Sequence, residues 1–126
     1  TLTGACAVAL GPHLAGLFSP DDELAAAIAR AGEMSGEPTW RMPLDERLRD
    51  SLKSSVADLK NTGGRYGGSI TAAQFLQRFV DKTAWAHIDI AGVTWSKKDH
   101  PTVPKGGTAF GVRLLEQLVT DYYEGK

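Results

Sequence analysis

Trp85-Ala-His-Ile-Asp-Ile-Ala-Gly-Val-Thr94 decides how this chain is read. Apolar and polar residues alternate along it, so a strand here turns Ile88 and Ile90 to one face and His87 and Asp89 to the other. Ala91 and Gly92 close the run with two residues too small to fill space, where a backbone or a ligand can come close. The charged turn Lys97-Lys98-Asp99-His100 follows.

Upstream of that strand, Ala72, Phe75, Leu76, Phe79 and Val80 recur at i, i+3, i+4, i+7 and i+8. That spacing predicts a helix with its apolar stripe in the core, capped by Ser69 or Thr71. Before it lies Asn61-Thr-Gly-Gly-Arg-Tyr-Gly-Gly68, four glycines in eight residues. Backbone amides in such a stretch can cradle an anion, and Arg65 adds charge. It lacks the Lys-Ser/Thr ending and the preceding strand of a P-loop, so a surface loop is the expectation.

Nearer the start, Thr3 before Gly4-Ala-Cys-Ala-Val-Ala-Leu10, with Gly11-Pro12 after it, predicts a short helix with a Thr cap and a Gly stop. Leu14-Ala-Gly-Leu-Phe18 predicts a short buried strand. Ser19-Pro20-Asp21-Asp22-Glu23 opens the next helix, with Pro20 at the first helical position and acids in the first turn, where the helix dipole favours them. Leu24, Ala27, Ile28 and Ala31 mark its buried face, and Gly32 or Gly36 its end. The prolines of Glu37-Pro-Thr-Trp-Arg-Met-Pro43 exclude a regular helix there, and Leu44–Leu52 predicts a short charged one. After the central strand come Pro101, Pro104 and Gly106-Gly107. A last helix follows, with Val112, Leu115, Leu118, Val119 and Tyr122 on one face.

Helices alternating with two or three short strands make this an α/β chain. So few strands form a poor sheet alone, so a larger mixed sheet, completed by chain beyond this sequence or by a neighbour, is expected. One domain, or part of one, suits 126 residues.

Fourteen basic against fifteen acidic residues, a net charge of -1, argues against nucleic acid as the main partner and against an anionic membrane. No stretch approaches the roughly 20 apolar residues of a membrane span, and Thr1-Leu-Thr-Gly4 lacks the basic region of a signal peptide. The single Cys6 excludes an intrachain disulfide and a Cys-rich zinc site, which suits a reducing compartment.

No complete catalytic constellation emerges. His87 and Asp89 share a strand face, but a zinc site needs three or four convergent ligands, and His13 and His100 fall in loops. A hydrogen-bonded structural pair that positions the Ala91-Gly92 turn is expected instead. Cys6, on a small-residue helix with no base beside it, is expected to be buried and inert. No Gly-x-Ser-x-Gly elbow occurs, and Asp21, Asp22 and Glu23 are accounted for by the helix dipole.

Trp85-Ala-His-Ile-Asp-Ile-Ala-Gly92, with Thr1-Leu-Thr-Gly-Ala-Cys6 and Trp40-Arg-Met-Pro-Leu44, strongly resembles the C-terminal part of the leucyl aminopeptidase (cytosol aminopeptidase, M17) family. Their order and spacing match over essentially the whole chain. Gly106-Gly-Thr-Ala-Phe-Gly-Val-Arg-Leu-Leu115 resembles the family's Gly-rich tail, with Ala109 where many members have Gly. The family's Asn-Thr-Asp-Ala-Glu-Gly-Arg metal-binding motif lies upstream of its Thr-Leu-Thr-Gly-Ala segment and is not in this sequence.

The resemblance implies the C-terminal portion, residues 1–126, of a mixed-sheet α/β/α aminopeptidase catalytic domain. It further implies release of N-terminal residues, often Leu, from peptides, and two divalent ions (Zn, Mn or Mg) whose ligands precede Thr1. Such ions activate a water and polarise the scissile carbonyl. A cytoplasmic homo-oligomer, a hexamer in the family, is also implied. Substrate positioning maps to Thr1, Leu2 and Gly4, with the Leu2 carbonyl and the Gly4 amide holding the peptide backbone. The wall of the pocket for the N-terminal side chain maps to Ala91 and to Thr94, where some relatives carry Met. No catalytic or metal-ligating residue maps onto this chain. The alternative expectation is a catalytically silent fragment with a folding or assembly role.

Overall fold

A computed structural model describes residues 3–124. Thr3 is extended and its hydroxyl accepts from the Cys6 amide, so the first helix, α1, runs Gly4–Leu10. Strand β1, Ala15–Phe18, is buried along its whole length. Helix α2 covers Asp22–Ser35. Asp21 caps it by accepting from the Leu24 amide at 3.0 Å, and Gly36 ends it in the left-handed conformation. The proline is therefore outside the helix: the side-chain cap at Asp21 sets the start, and Pro20 precedes it. Strand β2, Thr39–Arg41, follows, then a 3-10 helix at Glu46–Leu52.

Helix α3 spans Gly68–Gln77. Neither Ser69 nor Thr71 caps it. Gly67, left-handed at φ 61°, turns the chain into the helix with no side-chain cap. The stripe assigned to the core also goes elsewhere. Ser69, Thr71, Ala73 and Gln74 are buried, whereas Phe75 and Leu76 are half-buried and Phe79, past the helix end, is 69% exposed. The Gln74 amide reaches the Asp45 carbonyl at 2.7 Å, so a polar side chain anchors α3 to the start of the 3-10 helix.

Strand β3, His87–Asp89, pairs antiparallel with β1, and β2 pairs parallel with β1 on its other side. The mixed sheet is thus β2-β1-β3, with Gly16 opposite both Trp40 and Asp89. A separate ribbon joins β4, Trp95–Ser96, to β5, Gly106–Gly107. The chain ends in α4, Val112–Val119, and a π-helical turn at Thr120–Glu124.

The core lies where α2 and α4 cover β1: Leu17, Ala25, Ile28, Ala31, Leu114 and Leu118. The face of α4 that packs here is Leu114, Leu118 and Tyr122, one helical turn apart each time. Of the residues predicted for that face, Val112, Leu115 and Val119 are exposed. A buried carboxylate fixes this choice. Glu37, 3% exposed, accepts from the Gly111 amide at 2.9 Å and the Leu114 amide at 2.8 Å, with Arg113 Nε at 3.4 Å. A carboxylate at a helix start satisfies amides that the helix cannot and suits its dipole.

Ala109, just before that start, adopts φ 52°, a left-handed conformation costly for a residue with a Cβ. Ala109→Gly relieves it and is expected to stabilise the protein by about 1 kcal/mol, measured as a raised urea midpoint at unchanged slope.

Candidate functional site

Asp89 is 1% exposed at the end of β3. Its Oδ2 accepts from the Thr3 hydroxyl at 2.8 Å and its Oδ1 from the Ala91 amide at 3.1 Å. The same Thr3 hydroxyl accepts from the Cys6 amide at 3.2 Å, so one side chain caps α1 and ties it to β3. The following turn presses on the other end of α1. A Cβ on Gly92 would lie 2.5 Å from the Gly11 carbonyl oxygen and 3.2 Å from Ala7 Cα, so only glycine fits. The close approach anticipated at Gly92 is therefore one of backbone.

Beyond it, Val93 N–H donates to Ile90 at 3.0 Å and closes the turn. Thr108 then holds the next two residues. Its hydroxyl donates to the Val93 carbonyl at 2.6 Å and its amide to the Thr94 carbonyl at 2.9 Å. Ala91 and Thr94 are thus pinned by Asp89 on one side and Thr108 on the other.

Of the five candidate binding residues, Thr1 and Leu2 lie outside the described residues. Gly4 opens α1 beside Thr3; it is exposed, with no atom within 4 Å of where a Cβ would sit. Being the first helical residue, its N–H has no partner within the helix. Ala91 and Thr3, the residue before Gly4, share the Asp89 carboxylate. Next to Thr3 is a cavity of about 310 Å³, walled by Asn61–Gly64, Gly68 and the Ala72, Phe75 and Leu76 side of α3. The residues expected in the core therefore line an opening, and the Gly-rich stretch forms its rim. A second cavity, about 260 Å³, lies between Arg49, Arg78 and Trp85, and neither cavity is lined by Gly4, Ala91 or Thr94.

His87 and Asp89 do not form the expected hydrogen-bonded pair. His87 stacks on Phe18, ring centroids 5.8 Å apart at 24°, and its buried Nε2 has no partner. Asp89 positions the Ala91-Gly92 turn without it. Burial pushes the His87 imidazole below its ordinary range, and the Asp89 charge opposes that only in part. Cys6 is buried, its Sγ 3.9 Å from the Asp89 carbonyl oxygen, and burial pushes its thiol up, away from reactivity.

Among the described residues no three His, Cys, Asp or Glu side chains converge to hold a metal. Asp89, the buried carboxylate at the site, has both oxygens committed to hydrogen bonds. These residues do not fit a two-metal centre. The roles of Thr3 and of Asn61–Gly64 went unread in the sequence. The signal for them is slight: a Thr-x-Thr-Gly start whose second hydroxyl does more than cap, and a glycine-rich run leading into a helix whose apolar side has no cover.

The sequence profile of the cytosol aminopeptidase family, catalytic domain, matches residues 1–116. The chain belongs to that family. A probable cytosol aminopeptidase of Synechococcus sp. (strain JA-3-3Ab) is 56% identical over 119 residues, which cover 94% of this chain and 23% of that protein. One from Rhodopseudomonas palustris (strain TIE-1) is 56% identical over 126 residues, covering 100% of this chain and 25% of its own length. Among solved structures, the bottromycin maturation enzyme BotP in complex with Mn superposes with a TM-score of 0.89 at 42% identity, over 94% of this chain and 27% of that one. A mutant of tomato leucine aminopeptidase gives 0.86 at 48% identity, over 94% and 23%. The mixed α/β fold expected from the sequence is therefore that of the family's catalytic domain. The chain spans about a quarter of the length of the curated relatives it matches.

The His87 environment sets a pH dependence. A histidine whose folded pKa is depressed takes up a proton more readily when unfolded. Its stabilising share is complete above the unfolded value of about 6.5 and is lost as pH falls through it toward the folded value. Urea midpoints at pH 7.5 and pH 5.5 are expected to converge in His87→Phe, which keeps the stack on Phe18 but cannot titrate.

Proposed function

We propose that this chain is the C-terminal part of the catalytic domain of a metal-dependent leucyl aminopeptidase, releasing N-terminal amino acids from peptides. The chain contributes the pocket wall and scaffold. The observation that carries this reading is the family match along residues 1–116, and the geometry agrees with it. Thr3, which precedes the exposed Gly4 and lines an apolar-walled cavity, and Ala91 are held by one buried carboxylate. In this arrangement Thr1, the Leu2 carbonyl and the Gly4 N–H hold the extended backbone of a peptide, and Ala91 and Thr94 bound the space for its first side chain.

The metal centre, two divalent ions of zinc, manganese or magnesium, belongs to the upstream part of the domain. The manganese complex of BotP supports that class of cofactor. The working protein is a cytoplasmic homo-oligomer, a hexamer, acting on peptides. Among the described residues no helix is long and apolar enough to cross a membrane, which agrees with that reading.

The full-length protein, dialysed against manganese, is expected to retain about two metal ions per chain and to hydrolyse leucine p-nitroanilide. Metal retention without hydrolysis of any aminoacyl substrate sinks the aminopeptidase reading. Retention of no metal, with no activity, favours a silent folding or assembly role.

Thr94 sets the second test. A Met here lengthens the pocket wall and makes it apolar, and differences of one or two methylenes change discrimination by about tenfold or more. In Thr94→Met, relative kcat/KM among Leu, Met and Ala substrates is expected to shift by about that factor while metal content stays constant. Unchanged ratios remove Thr94 from the pocket.

A further inference from the structure

We infer that Thr3, acting through Asp89, is a positioning residue that sets the distance between the two walls of the substrate site. The inference rests on the aminopeptidase reading above. Thr3 stands between Leu2 and Gly4 in the chain, two of the residues proposed to hold the peptide backbone. Its own hydroxyl is engaged elsewhere, accepting from Cys6 N–H and donating to Asp89 Oδ2. The other oxygen of that carboxylate holds the amide of Ala91, the first residue of the opposite wall.

The β1–β3 pairing reaches only as far as Asp89. The wall residues beyond it are outside the sheet, and Gly4, which opens α1, is outside it too. At this end of α1 the connection to the turn is made by the Thr3–Asp89–Ala91 bridge. The Gly92 contact with Gly11 and Ala7 acts as a fulcrum at the far end of α1. It fixes where α1 rests against the turn but leaves the start of α1 to be set by Thr3.

A residue in this position alters how well substrate is held before and during the reaction by the same amount. Its loss therefore raises KM and leaves kcat nearly unchanged. It also blurs the choice of first side chain, because the backbone register and the pocket wall are no longer fixed relative to each other. A residue that only stabilised the fold would lower the melting temperature and leave both quantities as they were.

The test uses the full-length, metal-loaded protein and p-nitroanilides of Leu and Ala. Thr3→Val keeps the shape and removes the hydroxyl; KM for the Leu substrate is expected to rise about tenfold, with kcat within about twofold and the Leu-to-Ala preference compressed. Thr3→Ser restores the hydroxyl and is expected to return both to near the wild-type values. Asp89→Asn keeps the size but exchanges a charge-assisted bond for a neutral one, so an intermediate rise of about threefold is expected. Should Thr3→Val fail to fold, the Asp89→Asn and Thr3→Ser pair decides. Wild-type KM and wild-type Leu-to-Ala preference in the folded Thr3→Val or Asp89→Asn proteins overturn the inference, even if their melting temperatures fall. Absence of hydrolysis by the wild-type protein overturns the reading beneath it and the inference together.

Discussion

The Asp89 carboxylate is the constraint that joins the start of α1 to the end of β3. A buried carboxylate is tolerated only where its oxygens are fully engaged, because desolvation without hydrogen bonds costs several kcal/mol. At 1% exposure Asp89 meets that condition with one donor from each of two segments, the Thr3 hydroxyl and the Ala91 amide. The requirement to satisfy the charge therefore also ties the start of α1 to the Ala91 turn, in addition to the Gly92 contact with Gly11 and Ala7. Glycine at 92 and cysteine at 6 belong to the same arrangement. One lets the Gly11 carbonyl come within contact distance, and the other fills the seam between α1 and β1 with a small, un-ionised thiol.

Glu37 solves the equivalent problem at the other end of the molecule. It follows Gly36, the left-handed residue that ends α2, and its carboxylate receives the first free amides of α4. The end of one helix thereby fixes the start of another, and α4 can lie on α2 only with Leu114 and Leu118 inward. Two buried acids, one at the end of a strand and one at the start of a helix, tie neighbouring elements together. Asp89 commits its oxygens to a hydroxyl and an amide, and Glu37 commits its own to two amides and the Arg113 guanidinium.

Much of the element order was legible from local chemistry. Thr3 and Gly36 mark helix ends by mechanisms that need no tertiary information, and the alternation about Ile88 marks the central strand. Which face a helix buries was not legible to the same extent. The period of Ala72, Phe75 and Leu76 does signal a helix, yet the buried side is Ser69, Thr71, Ala73 and Gln74, because Gln74 is drawn to the Asp45 carbonyl. In α4, hydrophobic residues occur on two sides, and periodicity alone does not say which one the Glu37 bridge turns inward. Val112, Leu115 and Val119 are left exposed on a chain that is a quarter the length of its relatives. An apolar pattern reports that a surface is to be covered, not that this segment of chain covers it.

The candidate binding residues came in a different way. Nothing in spacing or composition singles out Gly4, Ala91 or Thr94; the resemblance supplied them. What the residues themselves did announce was a polar pair on a covered strand face, and the pair then divided its roles. Asp89 took the structural connection, with both oxygens in use, while His87 was left stacked on Phe18 with a nitrogen unsatisfied. A strand that places a charge where an apolar residue would pack more easily gives up some stability to gain a directional link. Here the link lies at the edge of the cavity rather than in the centre of the core. Its Thr3 end lines the opening, so the bridge ties that rim to the end of β3.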